Sequence, residues 1–370
     1  MIKVLHIVPN MHVAGLETLI MNLYRNIDRS QIQFDFLVHY SEEFFYDKEI
    51  VSLGGNIYRL TFREDGDLKK YLKDLKSFFE QHNDYNIVHS HMASTSLFTL
   101  CEAKKNGVKV RIVHSHNTST EKTFKGFIKN ILLKNSLHYA NYFFACGEEA
   151  GKFLFGEKKF FIIHNAVDIR RFTDAATIKD MELLKTLKNK FVLGHIGRFN
   201  TQKNHRFLID LFEAYSKEDD SAHLLLVGEG ELFDEIIQII NNKGLEEKIS
   251  VLGVRDDIPS IFKLLDVFLL PSLFEGLPVV GIEAQAAGIP VIFSDKITKE
   301  VGVTSLVSYV PITNGVICWI DEIKRIKQQA LKSQNRERIQ ELINSGYEIK
   351  DESNRLLELY KRIIDEVKQG

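Results

Sequence analysis

The chain has 370 residues, 44% apolar and 26% charged, with a formal net charge of −2; that length is too great for one ordinary core and points to two domains. No apolar run approaches the roughly 20 residues needed to cross a bilayer, and the opening "MIKVLHIVPN" lacks the apolar length and cleavage site of a signal peptide. Cys101, Cys146 and Cys318 lie far apart, which excludes a metal or redox spacing and reads as buried, reduced thiols.

Residues 2–8 form an apolar run that predicts a buried strand, and "GLETLIMNLYRNI" follows with helical spacing. Then come "FDFLVH", "NIYRL", a helix over about 68–81, "NIVHSH", a helix over about 93–106 and "VRIVHSH". The two histidine pairs, His89 with His91 and His114 with His116, each fall at i and i+2, so each pair shares one side of its strand. A zinc site would need three or four ligands and supporting partners, and no Cys or carboxylate stands nearby at ligand spacing. Strand-end histidines bonded to neighbouring backbone account for most of the four. His116 is the functional candidate, because the polar "NTSTEKTF" after it leaves the strand as a loop.

The next predicted helix, about 122–138, sits in a basic stretch. From Ala103 to Lys134 there are eight cations (Lys104, Lys105, Lys109, Arg111, Lys122, Lys125, Lys129 and Lys134) and one anion, Glu121. Through Phe172 the chain carries 23 Lys/Arg against 19 Asp/Glu; the remainder carries 25 against 31. Lys122, Lys125 and Lys129 share one helical face and Phe124, Phe127 and Ile131 the other. That is the pattern of an ordinary surface helix, or of one lying on anionic lipid.

"YFFACG" and "FFIIHN" close the first half, and the pattern restarts at "FVLGHIGR". A helix over 204–216, "HLLLVGEG", a helix over 231–243, "ISVLG", a helix over 257–264, "VFLLPS", a helix over 279–287 and "PVIFS" follow, with helix again over about 335–367. Strand-then-helix alternation predicts parallel sheets with right-handed crossovers, so the fold class is α/β with two Rossmann-like halves. The boundary falls near 168–190: residues 1–170 as the first domain, with a helix of about 352–370 able to return to it, and 171–351 as the second.

The second half carries the chemistry. Glu275 follows the strand "VFLLPS"; Gly276, Leu277 and Pro278 lead into a helix, and Glu283 lies eight residues beyond Glu275. Amides at a helix N-terminus favour a phosphate, and carboxylates on either side can accept hydrogen bonds from sugar and ribose hydroxyls. "GRFNTQK" places Arg198 and Lys203 after a strand and a glycine, where two cations can neutralise a diphosphate leaving group. "VGEGE" supplies Gly228 and Glu229 at a strand-to-helix turn. A lone glutamate or a lone Gly-x-Gly is more often structural; four pieces in this order, each at a strand's carboxyl end, are specific.

With those motifs in place, the sequence resembles the retaining glycosyltransferases of family 4, which have the GT-B fold, over nearly its whole length. Glu275 and Glu283 match the family's E-x7-E element, "GRFNTQK" its Gly-Arg…Lys element, "HNAVDIRRF" its Asn-Gly-Val-Asp…Phe signature with Ala166 for Gly, and "VLGVRDDIP" its base-binding segment. "NMHVAGLETLI" is similar to the family's Gly-Gly donor loop, with Ala14 for the first glycine and Gly15 keeping the second; "HSHN" selects His116 as the histidine that meets the sugars. The overall pattern, "DKITKEV" included, most resembles bacterial capsule and exopolysaccharide glycosyltransferases. The resemblance implies parallel sheets facing a central cleft, with a nucleotide-sugar, expected to be a UDP-sugar, bound on the second half and an acceptor entering from the first. It implies that Glu283 binds ribose, Arg198 and Lys203 the diphosphate, Glu275 the donor sugar's hydroxyls and the Leu277 N–H a phosphate oxygen, with Val254 and Arg255 near the base.

The expected activity is retaining transfer of a hexose or N-acetylhexosamine to a lipid-linked saccharide, front-face, with the departing phosphate oxygen helping to deprotonate the acceptor. No cofactor and no catalytic metal are expected, because the cations do the electrostatic work. A cytoplasmic location is expected, with an anionic membrane surface as a candidate partner and no nucleic acid. The rival readings are a sugar-nucleotide 2-epimerase of related fold, opposed by the E-x7-E element, and a non-catalytic sugar-nucleotide-binding protein, opposed by the intact charged set.

Overall fold

The computed structural model describes residues 1–92, 95–116, 131–176, 178–329 and 336–369. It divides into two compact units, residues 1–166 with 349–370, and residues 167–348. Each is a doubly wound α/β domain with all strands parallel.

In the first unit the strands are β1 (Ile2–Ile7), β2 (Ile32–Val38), β3 (Ile57–Arg59), β4 (Ile87–Ser90), β5 (Val110–Ser115), β6 (Tyr142–Ala145) and β7 (Phe161–Ile162). Their order across the sheet is β3-β2-β1-β4-β5-β6-β7. Both faces are covered, so the strands read as near-continuous apolar runs: Val4, Leu5 and Ile7 of β1 and Ile87 and Val88 of β4 are fully buried. The Ile349–Gln369 helix packs on the Gly15–Asn26 helix, seating Leu356, Tyr360 and Ile363 in the core beside Val4 and Phe34.

The second unit holds β8 (Phe191–Ile196), β9 (Ala222–Val227), β10 (Ile249–Val251), β11 (Val267–Leu270), β12 (Val291–Ser294) and β13 (Val307–Val310), in the order β10-β9-β8-β11-β12-β13. Two features depart from the sequence reading. β13 pairs with β12 but is half-buried at the sheet edge and reads VSYV, so it lacks the fully buried apolar run of a central strand such as β11. The helix expected over 335–367 breaks into Arg336–Asn344 and Ile349–Gln369: Gly346 takes φ +82°, ending the first, and Glu348 forms an isolated bridge with Val167.

In each sheet the strand order reverses once, between β1 and β4 and between β8 and β11. Ligands of open parallel sheets bind outside the strands' carboxyl ends at such a reversal. Those two places hold the charged and titratable residues described next.

Candidate active site

β8 and β11 run side by side, and the loops leaving them carry the second unit's polar centre. After β8 the chain turns through Gly197–Asn204 into the His205–Ser216 helix; Lys203 is drawn into that turn by its own N–H on the Asn200 carboxamide, 3.0 Å. Asn204 takes left-handed backbone, φ +58°, and its side chain donates to the Pro271 carbonyl just after β11, tying the two loops. The result brings Lys203 Nζ to 2.7 Å from Glu275 Oε1, with the two side chains 14% and 8% exposed. The other carboxylate oxygen accepts from Gln202 Nε2 at 2.9 Å, and that amide also donates to the Phe274 carbonyl. The Leu273 N–H in turn donates to the Gln202 carbonyl, so Glu275 is held from two sides by one loop.

Sequence reasoning passed over Gln202 and grouped Arg198 with Lys203. The structure separates those two cations: Arg198 is 71% exposed and pairs with Glu231, Nε to Oε2 3.2 Å. Gly228 and Glu229, after β9, lie against the same loop. A Cβ on Gly228 would stand 2.1 Å from the Gly197 carbonyl oxygen, and one on Gly230 2.4 Å from that of Phe199, so these turns can close only with glycine. Val254 and Arg255 follow β10; Val254 is exposed, and Arg255 is turned onto Asp257 in a two-pronged pair of 2.8 and 2.7 Å.

Gly276, Leu277 and Pro278 lead into the Val279–Ala286 helix, whose N-terminus no side chain caps. Glu283 lies on that helix. Burial pushes its carboxyl up to about 7, and the Arg171 charge pulls it back only in part. Arg171, on the short Ile169–Thr173 helix, gave no sequence signal beyond its place in "HNAVDIRRF".

In the first unit Gly15 opens the Gly15–Asn26 helix after β1; Ala14 before it is extended, with no side-chain cap. One turn on, Glu17 is buried and its carboxyl is pushed up to about 7, chiefly by burial. His116 directly follows β5, but the expected neighbour relations change. The pairs do stack, His89 on His91 at 4.3 Å and His114 on His116 at 4.0 Å between ring centroids. Their partners, however, are one another rather than backbone. His91 Nδ1 lies 2.9 Å from His116 Nε2, and His89 Nε2 3.0 Å from His114 Nδ1. His6 of β1, unmarked in the sequence reading, adds its Nδ1 at 2.9 Å from His91 Nε2, and the Tyr360 hydroxyl meets His89 Nδ1 at 2.6 Å. Burial drives all five imidazoles far down, His6 and His116 to about 3, so the cluster is neutral at pH 7.

Lys122, Lys125 and Lys129 lie outside the described residues. Of the flanking basic stretch, Lys104, Lys105 and Lys109 are exposed, whereas Arg111 is half-buried and donates to the Tyr139 and Lys109 carbonyls, so it is no part of a free basic surface. Among the described residues no helix is long and apolar enough to cross a membrane.

Residues 13–171 match the family model described as Glycosyltransferase Family 4, and residues 177–346 the one described as Glycosyl transferases group 1. The chain is similar to the putative glycosyltransferase EpsF of Bacillus subtilis (strain 168), 33% identical over 374 residues, covering 97% of this chain and 96% of that one. It is 29% identical over 243 residues, 60% of this chain and 62% of the other, to the UDP-Gal:alpha-D-GlcNAc-diphosphoundecaprenol alpha-1,3-galactosyltransferase of Escherichia coli. Among solved structures, Anabaena HepE in complex with UDP and glucose superposes with a TM-score of 0.74 at 16% identity, covering 100% of this chain and 99% of that one.

Proposed function

The chain belongs to glycosyltransferase family 4, and from that premise we propose that it moves a hexose or N-acetylhexosamine from a UDP-sugar to a lipid-linked saccharide, with retention of the anomeric configuration. It is a glycosyltransferase of GT-B fold, related to those of bacterial polysaccharide synthesis. The observation that carries the finer reading is the Lys203–Glu275 pair braced by Gln202 where β8 and β11 diverge. An ammonium and a carboxylate fixed side by side suit a substrate with a diphosphate next to a polyol.

In this reading Lys203 and the exposed Arg198 neutralise charge developing on the departing diphosphate, with the Leu277 N–H at one phosphate oxygen. Glu275 accepts from the donor sugar's hydroxyls, Glu283 from the ribose diol, and Val254 and Arg255 flank the base. Gly15, Gly228, Glu229, Gly276 and Pro278 shape the loops that admit the nucleotide, and His116 meets sugar hydroxyls. The leaving phosphate oxygen takes the acceptor's proton as the new glycosidic bond forms on the face the diphosphate leaves. The cations supply the electrostatic help a divalent ion would give, so no metal is required.

Support for the donor comes from the UDP and glucose in the HepE complex and the UDP-Gal in the name of the E. coli relative. Support for the acceptor comes from the diphosphoundecaprenol in that same name. A lipid-borne acceptor also gives the basic stretch around Lys104, Lys105 and Lys109, with Lys122, Lys125 and Lys129, a use: each cation adds about 1 kcal/mol near an anionic leaflet, screened by salt.

The test gives purified protein UDP-glucose, UDP-galactose or UDP-N-acetylglucosamine, with and without saccharides linked to diphosphoundecaprenol. UDP release dependent on acceptor is expected for one donor. Release with none of them, or equal release without acceptor, would overturn the reading.

A further inference from the structure

His6, His91 and His116 form one directed chain through three neighbouring strand ends: His6 Nδ1 to His91 Nε2, then His91 Nδ1 to His116 Nε2, each 2.9 Å. The rings are neutral, so each carries one N–H, and each of the two contacts needs one proton between its nitrogens. Only two arrangements satisfy both. Either all three rings carry the proton on Nδ1, or all three carry it on Nε2. His91 uses both nitrogens and cannot mix the two.

The far end decides between them. His6 Nε2 is buried without a partner, and its ring lies 4.4 Å from Phe34 and 5.7 Å from Phe36, centroid to centroid. With every proton on Nε2 the chain would leave an N–H orphaned in that apolar setting; with every proton on Nδ1 it leaves only a lone pair. Orphaned buried N–H groups are the rarer of the two in folded proteins. The same dead end excludes a proton wire, because a proton entering at His116 would have no exit at His6.

We propose that His6 and His91 are positioning residues that lock His116 in its Nδ1–H tautomer, so that it offers the sugar a hydrogen-bond donor and not a base. The proposal rests on the reading of His116 as the residue that meets the sugars, and it sharpens that reading: the acceptor's proton must leave by another route, as it does when the departing phosphate oxygen takes it.

The cluster also places imidazole nitrogens within 4.8 Å of one another in two triads, His6–His89–His91 and His91–His114–His116. A cation in either triad would have to take a nitrogen of His91, and both of its nitrogens are already in ring-to-ring hydrogen bonds. Among the described residues none of the five rings is hydrogen-bonded to a carboxylate, the partner that ordinarily orients a ligating imidazole. The proton-filled chain is therefore the better fit.

Long-range proton–nitrogen spectra of the whole protein, deuterated and labelled in its histidine rings, test the lock without any turnover. His6, His91 and His116 should all be neutral with the proton on Nδ1 at pH 7, unchanged by EDTA. A proton on His116 Nε2, averaging between tautomers, or nitrogens shifted by a metal and restored by EDTA would each overturn it. Kinetics give the second arm. His6→Leu should lower kcat for transfer about tenfold, the worth of one well-placed hydrogen bond, with KM for the nucleotide-sugar unchanged. His6→Asn, whose amide can replace Nδ1–H, should restore most of the loss. Equal loss in the two variants, or none in either, would overturn the positioning role. A protein that transferred no sugar at all would leave the spectra to judge the lock, so the two readings fail separately.

Discussion

The Lys203 ammonium stands 2.7 Å from Glu275 Oε1, in a turn where both side chains are largely withdrawn from water. Two charges so placed stabilise each other, and removing either takes that stabilisation from the other. On the proposed function, Lys203→Ala should slow transfer about 100-fold or more, because it would remove the leaving-group cation and take one partner from Glu275. Arg198→Ala should act differently. Its side chain is 71% exposed, so the fold should be unaffected while nucleotide affinity falls roughly tenfold. Steady-state kinetics and calorimetric titration with UDP separate the two; unchanged constants in both variants would remove these cations from the site.

Gln202 should prove a kinetic residue rather than a binding one. It holds the second oxygen of Glu275 at 2.9 Å, so Gln202→Leu removes that hold while Lys203 remains. We expect kcat to drop about tenfold with little change in UDP affinity. A loss confined to UDP binding would contradict the assignment.

Glu283 gives a pH signature. Its folded carboxyl keeps its proton up to about 7 against an ordinary 4.5, through burial. Its contribution to stability is thus present below about 4.5 and is lost as the pH rises towards 7. Ribose hydroxyls favour the carboxylate, so affinity for a UDP-sugar should rise about tenfold between pH 6 and 8, and Glu283→Gln should flatten the profile. A UDP-sugar is the right probe, because UDP itself titrates in that range. An equally steep profile in the variant would assign the dependence to another group, such as Glu17, whose carboxyl is also held near 7.

Gly228 should be intolerant of any side chain. Its φ is +131°, and a Cβ would stand 2.1 Å from the Gly197 carbonyl oxygen. Gly228→Ala should destabilise the second unit by about 3 kcal/mol and weaken nucleotide binding through the displaced 197–203 loop. Denaturant unfolding followed by Trp319 fluorescence, which reports on that unit, should show an earlier midpoint; an unmoved one would mean that the turn yields cheaply.

How much of this was legible in the sequence follows from what each feature depends on. Buried parallel strands announce themselves as apolar runs, so β1, β8 and β11 and the loops leaving them were readable, as were Lys203 and Glu275 as candidates. β13 was not, because an edge strand with half-buried Val307, Ser308 and Tyr309 lacks that run. Strand alternation put His89 and His91 on one side, yet it could not reveal His6 as a partner, because that depends on β1 and β4 being neighbours in register, His6 beside His89. Gln202 and Arg171 act through contacts across 73 residues and across helices respectively, which no local pattern encodes.

The central claim, retaining transfer from a UDP-sugar to a lipid-linked saccharide, is tested most directly by following one reaction by proton NMR. The α-linked UDP-sugar that supports turnover is mixed with protein and a saccharide on diphosphoundecaprenol, and the anomeric coupling of the product is read as it forms. The account predicts free UDP and an α-glycoside in equal amounts, from the first turnover onward. A β-glycoside, a 2-epimer of the donor, or UDP accompanied only by free sugar would contradict it.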